Sequence, residues 1–130
     1  MLSVTRYVDL PARFLMALIF ILSGAGKVGA VTAMQGYMAA HGLPGMLLWP
    51  TIALEVVGGV FVLIGLWTRP VALVMAGFCL VTAFIFHTKF ADPTQMVMFL
   101  KNMAMAGGFL LLAKDGAPGL SVDSVMAARR

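Results

Sequence analysis

The stretch LEVVGGVFVLIGLWTRPVAL, residues 54 to 73, decides the fold. It closes one apolar run of membrane-spanning length, makes a tight turn at Arg69-Pro70, and opens a second such run at once. A proline suits the first turn of a helix, where its missing N–H has no partner to lose. The pattern is two helices that cross a bilayer and return. Inside the first of them sits Glu55, with Gly58 and Gly59 at i+3 and i+4 on its own helix face. Small residues beside a carboxylate let another helix approach closely, so Glu55 is expected to face the interior of a bundle and not lipid.

Working outward, the same reading repeats. Of the 130 residues, 62% are hydrophobic and only 11% are charged, and mean hydropathy is +1.00. Soluble domains carry about 25% charged residues. Four spans are expected, at about residues 14–30, 47–67, 70–90 and 96–113, forming a single transmembrane domain with no room for a separate soluble one. Arg6, the apolar run and Ser23-Gly24-Ala25 also fit a signal peptide with its cleavage site; the segment is read as a retained anchor. Between the first two spans, Val31, Met34, Met38 and His41 fall at helical spacing before Gly42 and Pro44, which predicts a short interfacial helix. Asp92-Pro93-Thr94 supplies a cap and a break before the fourth span. The fold class expected is therefore an all-α membrane protein, four transmembrane helices in an antiparallel bundle with a short interfacial helix between the first two.

The net charge of +4 comes from singly scattered Lys and Arg, with no basic stripe of the kind nucleic acid selects. These charges read as topology signals. With both termini cytoplasmic, Arg6, Arg13, Arg69, Lys114, Arg129 and Arg130 lie inside, against Lys27, Lys89 and Lys101 outside. Arg13 is taken as a topology anchor, with Asp9 one helical turn before it. The tail after Lys114 is expected to lie outside the membrane.

This threading brings four ionisable residues, one per span, into one leaflet: Lys27, Glu55, His87 and Lys101. A charge in hydrocarbon costs about 2.5 to 3.5 kcal/mol unless it is paired or wet. Together with Asn102 they form the candidate ligand-binding layer, while the opposite half is expected to lack polar groups. Two lysines against one glutamate leave a positive surplus, which suits a carbonyl-bearing or anionic ligand such as a quinone, with the lysines, His87 and Asn102 as donors. Phe61, Phe84, Phe86 and Phe99 are available to line an apolar slot, although aromatics at helical spacing are more often core. Glu55 as an interhelical tie to Lys27 or Lys101 stays open beside this. His41 and His87 have no metal-ligand spacing, and Met96, Met98, Met103 and Met105 read as core filling before they read as a soft-metal site. Cys79 is the lone cysteine, so intramolecular disulfide chemistry is excluded. No catalytic motif is present, no metal site is expected, and no covalently bound cofactor is implied.

The blocks RFLMALIFILSGAGKV (13–28), YMAAHGLPG (37–45), LEVVGGVFVLIGLWTRPVAL and LKNMAMAGGFLLLAKDGAPGLSVD (100–123), with His87 closing the third span, resemble the DoxX family of small bacterial inner-membrane proteins. The resemblance implies a four-helix protein of the inner membrane, multi-pass and lipid-embedded, with some relatives acting as partners of quinone-linked oxidoreductases. The function expected is thus a redox-linked accessory subunit that binds a quinone, working in a membrane redox complex or as a homo-oligomer. A structural assembly partner and a small-solute transporter are the alternatives.

Overall fold

The computed structural model describes residues 2–130, with side chains at position 4 and from Tyr7 onward. Six helices follow one another: α1 (Leu2–Val28), α2 (Val31–Ala40), α3 (Leu48–Ile64), α4 (Thr68–Phe86), α5 (Pro93–Asp115) and α6 (Val122–Ala128), with one 3-10 turn at Gly45–Leu47 before α3. Four segments are long and apolar enough to cross a membrane: Tyr7–Val28, Gly45–Ile64, Thr68–Phe86 and Pro93–Asp115. The short α2 between the first two rests Met38 on Leu48 and Ile52. This is the all-α, four-span architecture the sequence predicts.

The boundaries differ in instructive ways. The first helix runs straight through Pro11, so it begins well before Phe14. The second stops at Ile64 because Gly65 turns left-handed (φ 69°) and the Leu66 N–H reaches back to the Phe61 carbonyl at 2.9 Å. Trp67 therefore lies in the turn, not in the span, and Pro70 is the third residue of α4 and not the first. The third helix ends at Phe86, where His87 caps it, four residues short of the expected limit. The Asp92 side chain accepts from the Thr94 N–H at 2.9 Å with Pro93 opening α5, as the sequence indicates.

Packing is closest between α1 and α3 and between α4 and α5. Along α1, Arg13 meets Val62 and Leu63, whereas Lys27 meets Glu55, so those two helices run in opposite directions. Glycines set their approach. A Cβ on Gly24 would fall 2.6 Å from Val56 Cγ2, and one on Gly59 would fall 2.8 Å from Ile21 Cγ1. Any larger residue at either position pushes the helices apart. Gly58 instead leaves room for the end of the flexible Met75 side chain of α4. The core between the two helix pairs is built from Phe20, Val62, Met75, Cys79 and Phe109 with alanines between them; Phe20 and Phe109 meet at 5.4 Å between ring centroids.

At the Arg13 end the structure overturns two expectations. Arg13 is no surface anchor, since it is fully buried and donates to Asp9 Oδ2 at 3.0 and 3.2 Å and to the carbonyls of Val62 (3.2 Å), Leu63 (2.6 Å) and Leu120 (2.5 Å). The Val62 and Leu63 carbonyls belong to the last turn of α3, where helical partners run out and the helix dipole is negative, so a cation is well placed there. Nor is this half of the bundle free of polar groups. The tail likewise folds back against the bundle: the Gly119 N–H donates to Asp9, and the Asp123 carboxylate accepts from the Trp67 and Thr68 N–H groups at 2.8 Å each. Asp123 thus satisfies the first N–H groups of a helix that starts 55 residues earlier, in place of a local capping side chain. Desolvation works against its charge, but hydrogen bonds from Thr68 and Trp67, helped by Arg13, hold its carboxyl below the usual carboxylate range.

Candidate functional site

At the opposite end, the two helix pairs part around a cavity of about 500 Å³. Lys27, Glu55, His87, Lys101 and Asn102 all line it, but only two of them touch. Lys27 Nζ donates to Glu55 Oε1 at 2.6 Å and to Ser23 Oγ at 2.8 Å, which joins α1 to α3 at the cavity wall. Ser23 lies one turn before Lys27 on the same face, so the bond follows from helix geometry. Glu55 is 3% exposed, and its second oxygen, Oε2, has no hydrogen-bond partner among the described residues. The tie left open between Lys27 and Lys101 is made to Lys27.

The other three residues are disposed differently from expectation. Asn102 does not offer its amide hydrogens to the cavity, since Nδ2 donates to the Cys79 carbonyl at 3.2 Å and to Thr82 Oγ1 at 3.1 Å. The Cys79 carbonyl can only accept, so the group facing it must be the NH₂, and Asn102 retains only an acceptor for a ligand. His87 sits at the end of α4 with Nδ1 3.0 Å from Gln95 Oε1, a contact across the α4–α5 turn. Lys101 is exposed at the cavity edge. Thr82, Gln95 and Ser23 are the polar residues that sequence reasoning passed over as site residues. Their signal was present, because Thr82 and Cys79 are three apart on α4 and Gln95 is one turn into α5, but a lone Thr or Gln in an apolar helix commonly satisfies itself on its own backbone.

The apolar lining also departs from the expected set. Of Phe61, Phe84, Phe86 and Phe99, only Phe86 reaches the cavity, joined by Phe20 and Phe78 from the core side. Phe61 instead meets the edge of Trp67 at 5.9 Å, and Phe84 and Phe99 pack edge-on at 5.2 Å. Tyr37 of α2 stacks on Phe86 at 5.2 Å, and His41 lies against both rings, so α2 closes the cavity against the end of α4. No group of three His, Cys, Asp or Glu among the described residues is arranged to hold a metal ion.

Four apolar spans, a short helix between the first two, and a polar pair in the wall of a cavity at one end of the bundle define a small helical membrane protein. The model of the DoxX family matches residues 8–88, and the chain belongs to that family. The match takes in α1 to α4, and with them Lys27, Glu55 and His87; Lys101 and Asn102 lie beyond it. Two relatives, both from Escherichia coli strain K12, extend the likeness further. The inner membrane protein YqjF is 46% identical over 117 residues, 90% of each chain. The inner membrane protein YphA is 37% identical over 119 residues, 86% of this chain and 85% of its own. No solved structure matches the chain significantly.

Proposed function

We propose that this DoxX protein is a redox-linked accessory protein of the bacterial inner membrane that binds a quinone or similar lipophilic carbonyl compound in the cavity beside Lys27 and Glu55. The observation that carries the reading is an ion pair set in the wall of a largely apolar, partly open space of ligand size. Small-molecule sites run from about 300 to 1,000 Å³ and combine greasy walls with a few placed polar groups. Here Phe20, Phe78 and Phe86 supply the walls, and Lys27, Glu55 and Asn102 supply the polar groups. Lys27 engages two acceptors in the protein, and an ammonium has three hydrogens to give. Placement in the inner membrane is supported by the names of both relatives.

The test is a titration of the purified protein in nanodiscs with short-chain ubiquinone and menaquinone analogues, no metal added. At one hundred times the dissociation constant, binding adds about 2.7 kcal/mol to stability and raises the unfolding temperature. No shift with any analogue overturns the reading. The assembly-partner alternative then leads, favoured by α5, the least buried of the four spans, whose Gly107 faces open space. A transporter fits less well, because Arg13 at the far end is engaged by five hydrogen bonds.

The proposed orientation places both termini and the Arg13 end in the cytoplasm. It rests on the distribution of basic residues, of which the Arg6 side chain lies outside the described set. In a Cys79→Ala background, Lys89→Cys is expected to react with a membrane-impermeant maleimide in whole spheroplasts. Met126→Cys, on exposed α6, should react only after permeabilisation. The reverse pattern inverts the assignment.

A further inference from the structure

Glu55 is half satisfied. Oε1 takes a hydrogen bond from Lys27, while Oε2 is buried without a donor and the residue lines the cavity. A buried acceptor left unmet is costly, more so when it is charged, and a donor brought by a ligand would meet it. Beside it, Lys27 Nζ has engaged Ser23 Oγ and Glu55 Oε1 and holds one further hydrogen. Asn102 adds a second acceptor, because both its amide hydrogens are taken by Cys79 and Thr82. The polar surface nearest the buried pair thus offers two acceptors, on Glu55 and Asn102, and two donors, the third hydrogen of Lys27 and the hydroxyl of Ser23.

A carbonyl oxygen can use only the donors. It would accept from Lys27 and turn its lone pairs toward those of Glu55 Oε2, leaving that oxygen stranded. A hydroxyl accepts from Lys27 through its oxygen and donates its own hydrogen to Oε2, which satisfies both groups at once. We infer that the cavity prefers the hydroxyl-bearing, reduced form of its lipophilic ligand, a hydroquinone, over the carbonyl-bearing oxidised quinone, with Glu55 Oε2 accepting from the ligand hydroxyl; an alkylphenol offers the same donor on a single hydroxyl. The inference rests on the ligand reading of the cavity and narrows it to one oxidation state.

The experiment compares four probes on the wild-type protein in nanodiscs under argon, by isothermal titration: a short-chain ubiquinone analogue, its dihydroxy reduced form, a 4-alkylphenol, and the methyl ether of that phenol. The reduced form is expected to bind at least ten-fold more tightly than the oxidised one, and the phenol at least ten-fold more tightly than its ether, which has the same ring and no donor. In Glu55→Gln, whose amide presents a donor as well as an acceptor, the preference for the reduced form should fall below three-fold. Equal binding of the two oxidation states, or tighter binding of the oxidised one, overturns the inference and leaves the quinone reading standing. Failure of all four probes overturns both. The wild-type ratios decide the matter even where Glu55→Gln does not yield folded protein.

Discussion

Arg13→Met is expected to lower the stability of the detergent-solubilised protein by about 3 to 5 kcal/mol, the range for removing one partner of a buried ion pair. The substitution leaves Asp9, 8% exposed, with only the Gly119 N–H, and strips the donor from the Val62, Leu63 and Leu120 carbonyls. Arg13→Lys should recover little of this, because one compact ammonium cannot span acceptors on α1, on α3 and in the C-terminal segment as a planar guanidinium does. Arg13→Met/Asp9→Asn should recover part, since the stranded charge is gone while the carbonyls stay unmet. Chemical unfolding followed by helical circular dichroism reads all three. A loss under 1 kcal/mol for Arg13→Met would return Arg13 to the role of a surface topology anchor. Early proteolysis of the C-terminal segment in the Arg13→Met protein is the accompanying sign, because Leu120 loses its tie to the bundle.

The second large effect lies at the other end, and its asymmetry is the useful part. Lys27→Met should cost more than Glu55→Gln, about 3 to 5 against about 1 to 3 kcal/mol, because the side chain left behind differs in exposure. Lys27 is 22% exposed and keeps Ser23 as a partner, whereas Glu55 is 3% exposed and keeps none among the described residues. The double variant Lys27→Met/Glu55→Gln should be more stable than the sum of the two losses predicts, by 1 kcal/mol or more, as coupled residues in contact are. Lys101→Met combined with Glu55→Gln should show no such recovery, since the carboxylate pairs with Lys27. A recovery through Lys101 in place of Lys27 would contradict the observed pairing. Stability alone does not separate a tie from a site; the two readings part when the double variant, with no charge left stranded, is assayed for ligand binding and shows none.

Helices and their ends were largely legible because the signals are local. Apolar runs of span length, Asp92-Pro93 before α5, and Gly42 after α2 each act within a few residues of where they stand. That Lys27 and Glu55 fall in the same half of the bundle was legible too, although their counted depths differed, since residues per turn and span length fix roughly where a charge falls along a helix. Helix α1 beginning before Pro11 was harder to foresee. A proline inside a helix is normally a stop, and what holds this one is the contact of Asp9 and Arg13 with segments far along the chain.

Among the site residues, the sequence narrowed Glu55 to two lysines, and the structure chose Lys27, because Gly24 and Gly59 bring α1 and α3 close enough for a direct bond. It had no means of showing that Asn102 faces Cys79 and Thr82 with its donors, or that Phe20 and Phe78 and not Phe61, Phe84 or Phe99 line the cavity. Those facts depend on how far each helix is rotated against its neighbours, and a helix that is apolar on every face carries little periodicity to fix that rotation.

By itself, then, the chain determined that it has four helices long and apolar enough to cross a membrane and which charged residues gather toward one end, because hydropathy and helical rise act through sequence-local spacing. Only the tertiary structure decided that Arg13 closes α3, that Asp123 caps α4, and that one oxygen of Glu55 is left buried with no hydrogen-bond partner among the described residues. Arg13 closes α3 on backbone carbonyls, and Asp123 caps α4 through backbone N–H groups. Backbone carbonyls are present at every position and N–H groups at nearly every one, so no residue type announces which of them a side chain 49 or 55 positions away will meet.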